Sequence, residues 1–153
     1  MPKLDLDTIP QTTATGYPAE YAAPVAGRHY RRLAPVAGLT QMGASHVVLE
    51  PGAWSSLRHW HDGEDEMVVM LAGEALLVDD DGEHAMRAGD VAAFPAGSPN
   101  GHHLRNTGTG PCVFVAIGAG PARGGGYSDI DLIFTADGRY CHKDGRDYGT
   151  TRV

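Results

Sequence analysis

The amino-acid sequence predicts an all-β fold, and three observations support that prediction. Apolar runs of roughly four to eight residues recur along the chain, and turns that contain glycine separate them. The 21 glycines and 10 prolines are spread along the chain and do not form a low-complexity block. No stretch carries the apolar periodicity of a convincing amphipathic helix. Short strands at such close spacing are typical of an antiparallel barrel or sandwich.

The length and charge of the chain narrow the classes of protein to consider. With 153 residues, the chain is long enough for one domain with a hydrophobic core and too short for two. Its formal net charge is -7, whereas a nucleic-acid binder needs a basic face that neutralises phosphates. No apolar run approaches the roughly 20 residues of a membrane-spanning helix, and the N-terminal residues do not resemble a signal peptide. We therefore expect a cytoplasmic protein without a nucleic-acid or membrane partner.

The two cysteines do not indicate a disulfide framework or a zinc site. Cys112 and Cys141 are far apart, and neither belongs to a CxxC pair. Cys112 opens an apolar run and is expected to be a small buried hydrophobic residue. His142 follows Cys141 directly, and neighbours on a strand point to opposite faces, so we do not expect these two side chains to bind one metal.

The first 27 residues are predicted to form an extended arm. Four prolines lie in this segment, and it sustains neither a helical nor a strand period. Such a segment is ordered only by what it packs against, so we expect it to lie over its own barrel or over a partner's. A short strand is predicted at residues 28–33, and a longer one at residues 39–50 ends at the Pro51–Gly52 turn.

The rest of the chain divides into further short strands. The hairpin turn at residues 79–82, Asp-Asp-Asp-Gly, is the strongest of its turns, because Asp and Gly tolerate positive φ. A glycine-rich segment at residues 118–126 is expected to be flexible. Two strand-like pieces follow it, joined by a turn at residues 137–138. The strands between the first turn and the flexible segment are predicted at residues 54–61, 66–71, 75–78, 83–87, 91–94, 102–106 and 112–118.

Residues 52–73 contain the side chains that most clearly suggest a metal site. His59 and His61 are two apart on an apparent strand, so both imidazoles point to the same face. Glu66 begins the next apolar run after a short acidic loop and can add a carboxylate. Two imidazoles and one carboxylate form a ligand set for a divalent metal with open coordination positions.

Two glycine-containing motifs surround these residues. The first motif has a glycine, a His-x-His pair, a glutamate and a second glycine, at Gly52, His59, His61, Glu66 and Gly73. The second has a glycine, Pro-x-Gly, a histidine and an asparagine, at Gly89, Pro95, Gly97, His102 and Asn106. Together the two motifs cover about a third of the chain.

These motifs resemble those of the cupin superfamily. The gap before His59 is one residue longer than the usual pattern, and two extra residues precede His102. The residues around both motifs are similar to those of a group of small bacterial cupins labelled sugar-phosphate-isomerase-like. The resemblance implies an all-β fold with one cupin double-stranded β-helix, or jelly-roll, barrel at residues 28–118. The N-terminal arm would be residues 1–27, and residues 119–153 would form a C-terminal tail that packs on the barrel.

The resemblance also implies that His59, His61, Glu66 and His102 bind one metal inside the barrel. Three neutral imidazoles and a carboxylate suit Zn, Fe, Ni, Mn or Cu and leave one or two positions for water or substrate. A single histidine on a strand would more often be structural. Four such residues at the spacing of two linked motifs favour one divalent transition metal per chain.

The fourth ligand has an alternative in His103. Strand alternation places His102, Leu104 and Asn106 on one face and His103 on the other, which favours His102. The two-residue insertion before His102 could instead bulge the strand and present His103.

The surroundings of the ligands are predicted less specifically. Ligating imidazoles need an acceptor for their second ring nitrogen, and the nearby carboxylates in the sequence are Glu50, Asp62, Glu64 and Asp65. Met70 shares its strand face with Glu66 and is expected to line the cavity wall.

The sequence favours a metal-dependent enzyme of isomerase, lyase or dioxygenase type, acting on a small polar or anionic organic molecule. The alternative is a cupin that binds or senses a small ligand without turnover. No catalytic residue beyond the metal ligands and no cofactor other than the metal is predicted. An apolar outer face that includes Met67, Val69 and Leu71 predicts a homodimer, since a second copy would bury it.

Overall fold

A computed structural model describes residues 3–148 and contains, within that range, twelve strands, one short α-helix and three 3-10 turns. The outermost residues of the predicted arm and tail, 1–2 and 149–153, lie outside the described range. The 3-10 turns span Leu6–Thr8, Ala19–Tyr21 and Ala23–Val25, and the helix α1 spans Leu33–Ala37. The strands are β1 (Arg28–Arg32), β2 (Gly43–Leu49), β3 (His59–His61), β4 (Asp65–Ala72), β5 (Glu74–Asp79), β6 (Gly82–Arg87), β7 (Val91–Phe94), β8 (His103–Arg105), β9 (Cys112–Ala119), β10 (Gly125–Tyr127), β11 (Ile133–Phe134) and β12 (Tyr140–Cys141).

The strands are antiparallel and form the two layers of a jelly-roll barrel, which confirms the all-β prediction. One layer is a five-stranded sheet in the order β1-β2-β9-β4-β7. The other layer consists of a four-stranded sheet, β12-β11-β10-β3, and a three-stranded sheet, β6-β5-β8. Backbone hydrogen bonds exchanged between His59 and His102 join these two smaller sheets. The strand that carries the His-x-His pair therefore lies in the middle of the second layer.

The main hydrophobic core fills the space between the two layers. Val47, Val68 and Phe114 come from the five-stranded sheet, whereas Leu77 and Leu104 come from the facing three-stranded sheet. Alternation along each strand sends every second residue inward, which explains why the apolar residues of β4 and β9 are buried in turn. Cys112 belongs to this core and is fully buried, as expected from the sequence.

The motif glycines occupy turns that only glycine adopts readily. Gly52, Gly73, Gly89 and Gly97 all have positive φ, between 71° and 94°. A side chain at such a φ would crowd the backbone, and glycine avoids that cost. At Gly73 an added Cβ would also lie 2.7 Å from the Pro111 carbonyl oxygen. These glycines therefore set the turns that bring the ligand-bearing strands together.

The N-terminal segment packs on the barrel of its own chain. Thr12 forms a β-bridge with Tyr30, and Val25 and Ile9 are buried. A second apolar cluster joins this segment to the C-terminal part of the chain through Tyr17, Tyr127 and other residues. Both ends of the chain thus close one side of the barrel. Among the described residues, none of the helical segments has the length and apolar character required to cross a bilayer.

Three local details differ from the sequence predictions. The strand expected at residues 28–33 ends at Arg32, because Leu33 begins the five-residue helix α1. Pro35 lies in the first turn of α1, where a backbone N–H has no helical partner, and Gly38 ends the helix with a φ of 69°. The strand expected at residues 54–61 is regular only over β3. Of the segment expected to be flexible, residues 118–119 belong to β9 and residues 125–126 to β10, whereas residues 120–124 lie in neither strand.

Candidate metal centre

Strand β3 positions two of the predicted ligands. It pairs with β10, with His59 opposite Tyr127 and His61 opposite Gly125. Since His59 and His61 are two apart, both imidazoles point into the barrel, and their Nε2 atoms lie 3.2 Å apart. The strand period therefore produces the expected convergence of the two rings.

The carboxylate of Glu66 meets all three predicted histidines. Its Oε2 atom lies 3.1 Å from His102 Nε2, 3.4 Å from His61 Nε2 and 3.8 Å from His59 Nε2. Glu66 begins the inward face of β4, and His102 is held beside β3 by the backbone bridge to His59. The four predicted side chains thus come together from three separate stretches of the chain.

The spacing of these donor atoms fits a transition-metal ion. Adjacent ligand atoms bound at about 2.0–2.2 Å to one tetrahedral or octahedral ion lie roughly 2.8–3.6 Å apart. The distances above fall in this range, apart from the slightly longer one between His59 and Glu66. A donor atom from each of His59, His61 and Glu66 lies within 4.8 Å of the others, so these three residues could hold an ion; His102 is not part of this group of three and contacts Glu66.

The Nδ1 atoms of the three imidazoles have different surroundings. His59 Nδ1 donates to the Leu57 carbonyl oxygen at 3.1 Å, with Ser56 Oγ also 3.1 Å away, which leaves a free electron pair on Nε2. His61 Nδ1 lies 3.4 Å from Glu64 Oε2, outside hydrogen-bond geometry. His102 Nδ1 is buried and has no hydrogen-bond partner among the described residues.

An aromatic contact holds the ring of His102 instead. The Phe94 ring stacks on it with a centroid separation of 3.4 Å and parallel planes. Phe94 ends β7 and pairs with Glu66 across the sheet. One aromatic side chain therefore fixes His102 at the position where it meets the Glu66 carboxylate.

The electrostatics of the cluster favour a bound cation. Burial lowers the pKa of His59 to about 4, against the opposing effect of the Glu66 charge. Burial also acts to lower the pKa of His61, but the hydrogen bond and charge of Glu66 outweigh it and raise that pKa. For Glu66, burial acts to raise the pKa, yet the interactions with His102 and His61 hold it well below its usual range. Glu66 is thus ionised and His59 neutral at pH 7, as metal ligands must be.

His103 does not join the cluster. Its Nδ1 donates to the Ser56 carbonyl oxygen at 3.0 Å, and its ring packs edge-on against Trp54 at a centroid distance of 4.6 Å. Burial lowers the pKa of His103 to about 4. No bulge turns the strand, so alternation sends His102 toward Glu66 and His103 to the other face. Asn106, the last motif residue, serves the fold: its amide donates to the carbonyl oxygens of Leu49 and Gly110.

The structure bears out only part of what the sequence predicted for the residues around the metal ligands. Of the four carboxylates proposed as imidazole partners, Glu64 alone has an oxygen within 4.0 Å of a ligand nitrogen, at His61, and Asp62 accepts a hydrogen bond from the Trp60 indole N–H. Glu50 lies 3.8 Å from His29 instead, and Asp65 accepts the backbone N–H of Ala96. Met70 belongs to the hydrophobic core and does not line the cavity.

The cluster opens into a cavity of about 680 Å³, and most residues of its wall were not predicted from the sequence. Tyr17 from the N-terminal segment lines it, together with Tyr127, Phe134 and Tyr140 from the C-terminal part. The Tyr127 hydroxyl donates to the Tyr17 hydroxyl at 3.2 Å, across 110 positions of sequence. Burial raises the pKa of Tyr17 to about 12 and also raises that of Tyr127. The phenols therefore stay protonated. In the sequence, only their aromatic character marked these residues as candidates for the wall of a cavity.

Comparisons with known proteins agree with this arrangement. Residues 45–118 match a family model described as a cupin domain. The chain is 44% identical, over 99% of both chains, to the crystal structure of a sugar phosphate isomerase from a cupin superfamily of Silicibacter pomeroyi, with a TM-score of 0.91.

Two further solved structures are more distant. A structure from Acidithiobacillus ferrooxidans, whose description proposes a sugar phosphate isomerase, is 25% identical over 84% of both chains, with a TM-score of 0.69. A structure described as a predicted oxalate decarboxylase from Thermotoga maritima is 27% identical, over 61% of this chain and 80% of that one, with a TM-score of 0.54. Comparison with proteins of curated function gave no match.

Proposed function

This chain belongs to the cupin superfamily, and from that premise we propose that it is a metal-dependent enzyme acting on a small anionic organic molecule. The observation that carries the proposal is the meeting of three imidazole Nε2 atoms with one buried carboxylate oxygen at the wall of a cavity. We propose His59, His61, Glu66 and His102 as the ligands of one divalent transition metal per chain.

The descriptions of the relatives and the metal chemistry support a choice of reaction type. The full-length relative is described as a sugar phosphate isomerase, which favours isomerisation of a phosphorylated sugar or a similar polar anion. A more distant relative is described as a predicted oxalate decarboxylase, so a lyase reaction is the next choice. A divalent ion at this site would supply a Lewis acid for substrate oxygens. Bound zinc, manganese or nickel would favour these non-redox reactions, and bound iron would favour a dioxygenase.

The residues of the chain supply binding and proton transfer around the ligands. The Tyr17 hydroxyl accepts the proton of Tyr127 and can donate its own to a substrate oxygen, and Tyr127 and Phe134 shield the site from bulk water. Glu64 lines the same cavity and is about one third exposed, at 34%, so its carboxylate can exchange a proton with a bound substrate. Its contact with His61 keeps it beside the ligand set.

Metal analysis of single variants tests the ligand assignment. His59→Ala, His61→Ala, Glu66→Gln and His102→Gln should each lower metal content from about one ion per chain to a small fraction of it, since each removes a coordinating atom. Elemental analysis of protein purified without added metal measures this and also identifies the ion. His103→Gln is the matched control and should retain the metal. Full occupancy in His59→Ala and His61→Ala, or loss in His103→Gln alone, would contradict the assignment.

Turnover distinguishes an enzyme from a binding protein. The metal-loaded protein is incubated in D₂O with a panel of sugar phosphates, and NMR follows product formation and deuterium incorporation. An isomerase that works by proton transfer should replace a carbon-bound hydrogen of the substrate with deuterium. The His59→Ala variant should not catalyse this exchange. Tight binding of panel members without any product or exchange would favour the alternative function of ligand binding or sensing. A cytoplasmic location and the lack of a nucleic-acid partner stay predictions from the sequence.

A further inference from the structure

The inner face of β1 carries positive charge where a barrel interior is usually apolar. Arg28 pairs with Leu49, and Arg32 pairs with Ser45, across the sheet. Leu49 points into the core, so alternation places Arg28, Tyr30 and Arg32 on the inward side of their strand. All three line the cavity that contains the candidate metal ligands.

Arg28 differs from the paired arginines of the chain. Arg58 forms ion pairs with Asp80 and Asp129, and Arg105 pairs with Glu83. By contrast, no carboxylate oxygen within residues 3–148 lies within 4.0 Å of the Arg28 guanidinium. Its Nη1 donates to the Ser55 carbonyl oxygen at 2.7 Å, and its Nε is buried without a hydrogen-bond partner. Arg28 is half-buried, and a charged side chain whose buried Nε lacks a hydrogen-bond partner is costly unless a ligand supplies one.

A tyrosine hydroxyl adds a second donor in the same cavity. The Tyr17 hydroxyl oxygen accepts hydrogen bonds from the Tyr127 hydroxyl and the Leu57 backbone N–H. Its own proton therefore remains available for a ligand. The Arg28 charge acts on Tyr17 and Tyr140, although burial still raises the pKa of both phenols. The guanidinium and the phenols thus belong to one part of the cavity wall.

The charge balance of the cavity also favours an anion. The chain as a whole carries a formal net charge of -7. The cavity wall nevertheless carries two positive side chains, Arg28 and Arg32, and two negative ones, Glu64 and Glu66. The Glu66 carboxylate already interacts with the histidine cluster. A bound divalent ion would leave the cavity with excess positive charge. A ligand with an oxyanion group would neutralise it.

We propose that Arg28, together with the Tyr17 hydroxyl, binds the carboxylate or phosphate group of the substrate in the cavity beside the His59, His61, Glu66 and His102 cluster. The proposal rests on the proposed function for its choice of site. Arginine suits this task because its planar fork matches the oxygens of both groups with two parallel hydrogen bonds. Arg28 would then determine that the substrate is an organic acid or a phosphate ester rather than a neutral molecule.

Isothermal titration with inorganic phosphate and with malonate tests the proposal on the full chain. Each anion is titrated into metal-loaded protein and into protein stripped by a chelator. Arg28→Gln should weaken binding of the favoured anion by about 10-fold to 100-fold in both states, which is the loss of charge-assisted hydrogen bonds. The anion whose binding Arg28→Gln weakens more indicates whether the substrate carries a phosphate or a carboxylate group. Arg87→Gln, at the exposed end of β6 and outside the cavity, is the matched control and should bind as the wild type does.

The outcomes separate this inference from the proposed metal site. An Arg28 effect in chelated protein supports the anion site even if metal analysis shows no ion. A metal site confirmed by analysis, with Arg28→Gln binding both anions as tightly as the wild type, overturns the inference alone. Absence of phosphate and malonate binding by the wild type also overturns it. If Arg28→Gln does not fold, Arg28→Lys replaces it; this variant keeps the charge but loses the fork, so affinity should fall by about 5-fold or more, and unchanged affinity would contradict the proposal.

Discussion

At the scale of single residues, Glu66 is the side chain on which the candidate centre depends. One of its carboxylate oxygens faces three imidazole nitrogens, and its ionised form is favoured although the residue is largely buried. Phe94 and the Leu57 carbonyl oxygen orient two of the rings. The adjacent histidines His102 and His103 show how strongly alternation separates roles, since one meets Glu66 and the other packs against Trp54.

The buried His103 predicts a pH dependence of stability. Its pKa of about 4 in the folded protein is below the ordinary 6.5, so between these values the unfolded chain binds a proton that the folded chain does not. Stability is therefore lost as the pH falls from about 6.5 to about 4, by up to about 1.4 kcal/mol per pH unit for this group. His103→Gln should reduce the dependence of the free energy of unfolding on pH by about that amount.

Urea denaturation of chelated wild-type and variant protein at a series of pH values measures this difference. Chelation removes the separate effect of metal release at low pH, and the contribution of His59 is present in both proteins. Above pH 7 the two slopes should coincide, because His103 is neutral in both states there. Parallel slopes throughout the acidic range would show that His103 takes up its proton in the folded protein.

At the scale of elements, the pairing of β3 with β10 supports the two histidines of the His-x-His pair. Strand β10 begins with two glycines, and their lack of side chains permits close contact with β3 and β11. A Cβ at Gly125 would lie 1.9 Å from the Trp60 carbonyl oxygen and 2.6 Å from the Phe134 ring. A glycine-rich stretch that reads as a flexible linker is thus a strand fitted against bulky neighbours.

Gly125→Ala should disturb this pairing and the metal site together. The clash with backbone oxygen has no flexible side chain to relieve it, so we expect a loss of about 2–4 kcal/mol in the free energy of unfolding. Metal affinity should fall as well, because β3 carries His59 and His61. Gly110→Ala is the control, since nothing lies within 4 Å of an added Cβ there, and its effect should stay within about 0.5 kcal/mol. Equal stability of the two variants would show that β10 does not support β3.

At the scale of the whole molecule, the five-stranded sheet has an apolar outer face. Met67, Leu71 and Val91 are 38%, 49% and 57% exposed, and Met67 lies beside Ile117 of β9. Beyond Asp65, the outward residues of β4 are apolar like those of β9. Large continuous apolar patches are uncommon on monomers, and they usually mark a surface that another molecule covers.

We expect a homodimer through this face, as the sequence also predicts. Light scattering after size-exclusion chromatography should give a mass near twice the 16.2 kDa of one chain. A Met67→Lys, Val91→Lys double variant should shift the protein to monomer, because it would bury two charges in the interface. Asp81→Lys, in the exposed β5–β6 turn, is the control and should remain dimeric. A monomeric wild type, or a double variant that stays dimeric, would contradict a dimer through this face.

The motifs allowed much of the fold and the candidate cluster to be predicted, whereas the cavity wall was not predictable. Strand alternation and glycine turns are local properties, so the convergence of His59 with His61 and the turn at Gly73 could be read from short stretches. Arg28 and Tyr17 carry no such local signal. Their inward position depends on pairing between strands that are distant in sequence, as in the pairing of Arg28 with Leu49.

The sequence by itself determined an all-β chain of short strands, its turns, and four residues with the chemistry of metal ligands, because period-two alternation and positive-φ glycines act over a few residues. Only the tertiary structure decided that His102 rather than His103 meets Glu66, and that a glycine-rich segment pairs with β3. It also decided that Tyr17, Tyr127 and Tyr140 close the cavity and that Arg28 lines it. These features depend on contacts such as the one between Tyr17 and Tyr127, which spans 110 positions, and the packing of whole sheets determines such contacts.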